Sequence, residues 1–315
     1  MRKLICMVIV SISVLFFGIG TSVGGDAVAG WPAYPGKPGG PAKFIRTDGT
    51  LLKTPDGKIL LLRGIAFGNH VWSNPASSER FTHHSSADYA RVKNLGFNSI
   101  RFYMNYQLFE DDAKPYTYKQ SGFDWLDKNI AAARTAGIYL VLNMHVPQGG
   151  FQSNGAGDAL WTNGENRARL AALWKEIARR YRDEEMIIGY GLVNEPVPNA
   201  SSEQWRSLAQ NLTDAIRSVD ADHILFIERV NWFKFTASDA DRANLYFPDI
   251  HDPAPEKNIV YEYHMYNPME FTHQNAGWIS WLKGKFSVYP DPTRISTEGE
   301  KWVWFSEGNP EAGNG

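Results

Sequence analysis

Six short apolar runs, each starting roughly 35 to 50 residues after the last, constrain this chain more than any other feature: LLLRGIAF, FNSIRFYM, IYLVLNMH, MIIGYGLV, HILFIERV and NIVYEYHMY. They are rich in β-branched and aromatic residues and do not alternate with polar ones, so they read as strands buried on both faces. Between several of them the apolar residues recur at helical spacing: Phe123, Leu126 and Ile130; Leu170, Leu173, Trp174, Ile177 and Tyr181; Trp205, Leu208, Leu212, Ile216 and Val219. Gly96 and Gly137 stand where a helix would stop before the next strand, and Ser201 with Gln204 makes a capping box. Buried strands that each lead into a helix imply an α/β protein with a parallel sheet covered by helices. An open doubly wound sheet and a closed (β/α)8 TIM barrel both satisfy that pattern. No Gly-rich phosphate loop follows the first strand, and the spacing suits barrel units with elaborated loops, so the expectation is a TIM barrel of which about six β/α units are present.

The chain before the first strand divides into three parts. Met1-Arg2-Lys3, the apolar run Leu4 to Ile19 and the small-x-small site Ala27-Val28-Ala29 predict a signal peptide over residues 1–29 and a secreted product, extracellular or periplasmic, free of the membrane once cleaved. That run of about 16 residues is short for a spanning helix. The single cysteine, Cys6, lies inside it, so the mature chain is expected to have no disulfide. Residues 30–43, GWPAYPGKPGGPAK, read as a Pro/Gly-rich linker. Residues 44–315 are then one barrel domain lacking its last strands, entered through a β-ribbon with turns at Asp48-Gly49 and Pro55-Asp56-Gly57. The net charge of −2 gives no broad field for nucleic acid, and a neutral partner is expected.

Chemistry on such a barrel collects where the strands end, so the polar residues that close the apolar runs are the ones to name. Arg101 lies late in the second run, His145 closes the third, Asn194 and Glu195 follow the fourth, and His264 and Tyr266 close the sixth. Each taken alone has a structural reading, as an ion pair or a hydrogen-bonded core group. Together they bring polar groups from four strands to one rim. The histidines lack an HExxH or similar close spacing, and neither metal nor cofactor is expected. Trp72, Trp161 and Trp232 fall in rim-loop positions, where exposed rings could serve as stacking platforms.

The ordered set RGIAFGNH, IRFYMNY, LNMHVP, GLVNEP and YEYHMYNP resembles glycoside hydrolase family 5, the cellulase-type barrel enzymes, from about Leu61 to Gly277. The resemblance implies a polysaccharide substrate, β-1,4-glucan ranking first, cleaved with retention by two carboxylates. It makes Glu195 the general acid and base, a job that a desolvated carboxyl near a second carboxylate would suit. Asn194 would hold the sugar 2-hydroxyl, Arg101 would orient the nucleophile, Tyr266 would hydrogen-bond it, and His145 and His264 would bind sugar hydroxyls. Since pyranose faces are apolar, the loop tryptophans Trp161 and Trp232 are expected as sugar-stacking subsite residues.

The chain departs from the family in one respect. No strand-ending glutamate of the apolar-Gly-Glu-Phe-Gly kind occurs between Tyr266 and Gly315. Glu298 and Glu300 follow no buried apolar run, so the nucleophile is expected beyond residue 315 and this chain alone is expected to be inactive. Two alternatives stand beside the cellulase reading. One is a carbohydrate-binding protein on a degenerate barrel, and the other is a mannanase- or xylanase-type glycosidase.

Overall fold

The computed structural model describes residues 8–9, 43–71, 84–243, 249–254, 257–266 and 269–284. The chain divides into two compact units, Met1–Tyr263 and His264–Gly315. In the first unit the strands are β1 (Val8–Ile9), β2 (Arg46–Asp48), β3 (Leu51–Lys53), β4 (Ile59–Leu60), β5 (Gly64–Phe67), β6 (Ser99–Asn105), β7 (Glu110–Asp111), β8 (Lys114–Tyr118), β9 (Tyr139–Val146), β10 (Ile187–Gly191), β11 (Ile224–Glu228) and β12 (Ile259–Glu262). Its helices are α1 (Ser86–Asn94), α2 (Gln120–Ala136), α3 (Asp158–Thr162), α4 (Gly164–Tyr181), α5 (Ser202–Arg217) and α6 (Asp239–Ala243).

Strands β5, β6, β9, β10, β11 and β12 pair in that order, and every pairing among them is parallel. Each lies within one of the six apolar runs or reaches one residue beyond it. Arg101 on β6 reaches Glu262 on β12, with Nε and Oε1 2.9 Å apart. Four strand steps separate these two strands, about 19 Å in a flat sheet at ordinary strand spacing. One arginine side chain cannot cover that distance, so the sheet must curl round its own interior. The fold is a TIM barrel represented by six β/α units. At the open side of β5, Val8–Ile9 pairs antiparallel with Gly64 and Ile65, and this dipeptide is the described part of the expected signal peptide. The remainder of residues 1–29 and residues 30–42 of the linker lie outside the described residues, as does Trp72.

Two apolar clusters follow from the alternation of side chains along each strand. Phe102, Met104, Leu140, Leu142, Tyr190 and Leu225 point outward and pack with Leu126, Trp174, Trp205, Leu212 and Ile216 of the helices. Val141, Ile188, Ile224 and Phe226 join Ile45 in a second cluster, against which Leu52 and Leu60 of the β2–β3–β4 ribbon pack. The predicted helix signals are met locally. Gly137 ends α2 with φ +63°, a left-handed conformation that glycine adopts without strain, and Ser201 with Gln204 forms both bonds of the capping box on α5.

Two helices are also bonded to the strand ends beside them. The Trp174 indole on α4 donates to the Leu192 carbonyl at 2.9 Å, and the Trp205 indole on α5 donates to the Glu228 carbonyl at 2.7 Å. At the other end of β11, the buried Arg217 donates to both carboxylate oxygens of Asp252, at 2.8 and 3.0 Å, and to the carbonyls of Asp220, His223 and Asn258. The same barrel is thereby locked at both ends of the fifth parallel strand.

The second unit contains α7 (Met269–Thr272), and among its described residues there is no strand. Within it the Tyr266 hydroxyl lies 3.1 Å from Nδ1 of His264. The ring of Tyr266 also meets His273 edge-on at 4.9 Å. Glu298 and Glu300 lie outside the described residues.

Candidate active site

The fourth apolar run ends as a strand at Gly191, and the next residues turn sharply over the barrel mouth. The Asn194 N–H still donates to the Met144 carbonyl of β9 at 3.0 Å, but Glu195 adopts φ +44°. A glutamate in the left-handed region is strained, and it persists only where its surroundings over-determine it. Here the backbone N–H of Glu195 donates to Glu228 Oε2 at 2.7 Å. Glu195 is itself 7% exposed at the mouth.

Glu228, the last residue of β11, also accepts a hydrogen bond and ion pair from Arg101 Nη2 through its Oε1. Arg101 gives its Nη1 to Asn194 Oδ1 at 3.0 Å, while its Nε faces Glu262 Oε1 at 2.9 Å. One buried guanidinium therefore ties together the ends of β10, β11 and β12. Planar forked donors suit this arrangement, because two carboxylates and an amide meet it in different directions. Asn194 turns its Nδ2 the other way, to Ser153 Oγ at 3.1 Å.

His145 is buried beside this network. Its Nδ1 lies 3.2 Å from Asn143 Oδ1, and its ring stacks on Tyr103 at a centroid distance of 3.9 Å. Phe151 lies over it at 5.7 Å. A second buried charge knot holds the loops around this rim. Glu110 accepts from the Tyr116 N–H at 2.5 Å, from Gln148 Nε2 at 2.9 Å and from Arg169 Nε at 3.1 Å. This joins the excursion after β6 and the loop after β9 to α4.

The two tryptophans differ. Trp232 is 39% exposed, and its indole donates to the Ser153 carbonyl at 3.1 Å. Its ring lies over Gly155, where any added Cβ would stand 2.8 Å from it; with φ +73°, that position is suited to glycine twice over. Trp161 is not the exposed rim platform expected from its place in the sequence. It is 4% exposed and packs in the outer core, with its indole N–H held by Gln152 Oε1 at 2.9 Å.

Of the expected residues in the first unit, Arg101, Asn194 and Glu195 are thus brought into one bonded network, joined to Trp232 through Ser153. His264 and Tyr266 belong to the second unit and neighbour each other there. Glu228 and Glu262 were not anticipated as site residues. Their signal in the sequence was a lone carboxylate late in each of two otherwise apolar runs. Arg101, expected to orient the nucleophile, meets these two glutamates among the described residues.

Parallel strands that bring an Asn-Glu pair and two further carboxylates to their C-terminal ends, with an arginine from within β6 reaching them, define a β/α-barrel protein with a carboxylate site at its mouth. The chain belongs to the cellulase family, glycosyl hydrolase family 5, whose model matches residues 56–305. It is 31% identical over 221 residues to a β-xylosidase of Phanerodontia chrysosporium, covering 59% of this chain and 46% of that protein. It is 30% identical over 203 residues to endoglucanase C of Acetivibrio thermocellus, covering 64% of this chain and 56% of the relative. The chain therefore spans about half the length of these curated relatives. Among solved structures, Thermotoga maritima Cel5A in complex with cellobiose superposes with a TM-score of 0.54 at 26% identity, covering 80% of this chain and 70% of that one.

Proposed function

We propose that this chain belongs to an exported β-glycanase that cleaves polysaccharide with retention, Glu195 acting as the general acid and base. The observation that carries the proposal is the strained Glu195 backbone at the barrel mouth, anchored to Glu228, beside an Asn194 that Arg101 holds in place. Strain of this kind collects where a side chain must be aimed at a reacting bond. Protonating the departing glycosidic oxygen and later deprotonating water requires one such carboxyl group. β-1,4-Glucan is the first substrate, in keeping with the endoglucanase relative and the cellobiose complex. The same Cel5A protein with mannotriose superposes with a TM-score of 0.54 at 25% identity, so mannan ranks next.

Double displacement needs a second carboxylate as nucleophile. We assign it to a carboxylate other than Glu228 and Glu262, because these two close the fifth and sixth parallel strands, whereas the family resemblance puts the nucleophile at the end of a seventh. Export follows from the basic start, the apolar run and the small-x-small site, and predicts a mature N-terminus at Gly30.

The test is hydrolysis of a soluble β-1,4-glucan by this chain and by any longer natural form. Glu195→Gln should lower turnover about 100-fold or more. Retained turnover in that variant overturns the assignment. A fluorinated glucoside that traps the covalent intermediate then locates the nucleophile, and a label on Glu228 or Glu262 would replace the seventh-strand assignment. A β-xylosidase reading is favoured by the relative that is 31% identical, and faster release of xylose than of glucose from matched substrates would select it.

A further inference from the structure

Glu228 is buried at 3% exposure, and each of its polar groups has a separate task. One carboxylate oxygen takes the ion pair from Arg101, the other accepts the Glu195 N–H at 2.7 Å, and the backbone carbonyl accepts the Trp205 indole at 2.7 Å. The indole bond fixes the end of β11 against α5, so the carboxylate projects from a rigid point. Its acceptor then meets the N–H of the residue that has φ +44°. A charged acceptor makes the stronger kind of hydrogen bond, and it would be lost if Glu195 relaxed to ordinary extended backbone. Arg101 supplies the compensating charge and at the same time grips Asn194, the preceding residue.

We propose that Glu228 is a positioning residue that holds the backbone of Glu195 in its left-handed conformation and so aims the Glu195 carboxyl at the scissile bond. The proposal deepens the functional reading above and rests on it for the role of Glu195. Glu228 acts through its neighbour and does not itself touch substrate.

Asn194-Glu195 is the single Asn-Glu step in the sequence, which makes the bond directly observable. Protein labelled with ¹³C-carbonyl asparagine and ¹⁵N-glutamate gives one carbonyl-selected amide signal, that of Glu195. In the native chain this proton should resonate downfield, as expected for a donor to a carboxylate. It should move upfield in Glu228→Gln, where a neutral amide is the weaker partner, and at least as far in Glu228→Leu, where none remains. Thermal melts establish that each variant is folded, and if the leucine variant is not, the glutamine variant decides. Where the native protein hydrolyses β-glucan, kcat of Glu228→Gln should fall about 100-fold with KM little changed, as expected when a reacting group is displaced by a fraction of a bond length. An amide signal that stays in place in the folded variants overturns the proposal, as does a shifted signal with unchanged kcat. Absence of turnover both in this chain and in any longer natural form tells against the functional reading, and the amide signal still decides the role of Glu228.

Discussion

The guanidinium of Arg101 meets Glu228 through Nη2 and lies 2.9 Å from Glu262 through Nε, so two carboxylates on neighbouring strands share one buried cation. Removing that cation leaves both carboxylates in a poorly solvated interior, where the cost of an unpaired charge exceeds the worth of the pair. Arg101→Met is expected to lower unfolding free energy by about 3–5 kcal/mol in urea titrations. Arg101→Lys retains a charge but loses the fork, and should recover only part of this. A wild-type midpoint in Arg101→Met would show that the network is dispensable.

Trp205 connects helix packing to the site, because its indole both fills the outer core and donates to the carbonyl of Glu228. Trp205→Phe keeps most of the apolar volume and leaves that carbonyl without its donor. A loss of about 1–3 kcal/mol is expected, from the unmade bond together with the missing ring volume. Chemical denaturation measures it, and the Glu195 amide signal should shift in the same variant because β11 loses its anchor.

The barrel units were legible in the sequence because parallel strands covered on both faces must be nearly continuous in apolar residues. The helical stripe on α5 was legible for a related reason, since Trp205, Leu208, Leu212 and Ile216 all face one core. Glu195 could be picked out because it follows an apolar run, directly before a proline. Glu228 and Glu262 could not, since a single charge within a run carries no information about a partner 127 or 161 residues away, and that pairing exists only after the sheet has curled. Trp161 shows the converse. Its loop position suggested exposure, but Gln152 offers a buried acceptor for the indole, and the ring went inward.

Trp232 is an exposed aromatic ring near the site, seated on Gly155 and bonded to the Ser153 carbonyl. Stacking on a sugar contributes to binding before and during reaction alike. Trp232→Ala should therefore raise KM for a soluble β-glucan about 10-fold, some 1.4 kcal/mol, with little change in kcat. The same factor should appear in the dissociation constant of a cello-oligosaccharide measured by calorimetry. Loss of kcat at unchanged KM would instead place Trp232 in the support of Asn194, through Ser153.

Asp220 and His223 form a buried pair at the foot of β11 that sets a pH window for stability. Burial by itself would push Asp220 upward, but the charge of His223, hydrogen bonds from its ring at 2.7 Å and from its backbone N–H, and the Tyr190 hydroxyl at 2.8 Å hold it at about 2. Burial by itself would lower His223, yet the Asp220 charge and hydrogen bond raise it above its ordinary value. A depressed carboxylate contributes stability above its unfolded value, near pH 3.9, and that contribution is lost as pH falls toward 2. A raised histidine contributes fully below its unfolded value, near 6.5, and loses its contribution as pH rises through the higher folded value. Unfolding free energy from urea titrations should therefore be greatest between roughly pH 4 and 6.5 and decline on the alkaline side. His223→Asn, which cannot take up that proton, should be less stable at pH 5.5 and should flatten the decline between pH 6.5 and 8.5. An unaltered slope in that variant would assign the alkaline loss to other groups.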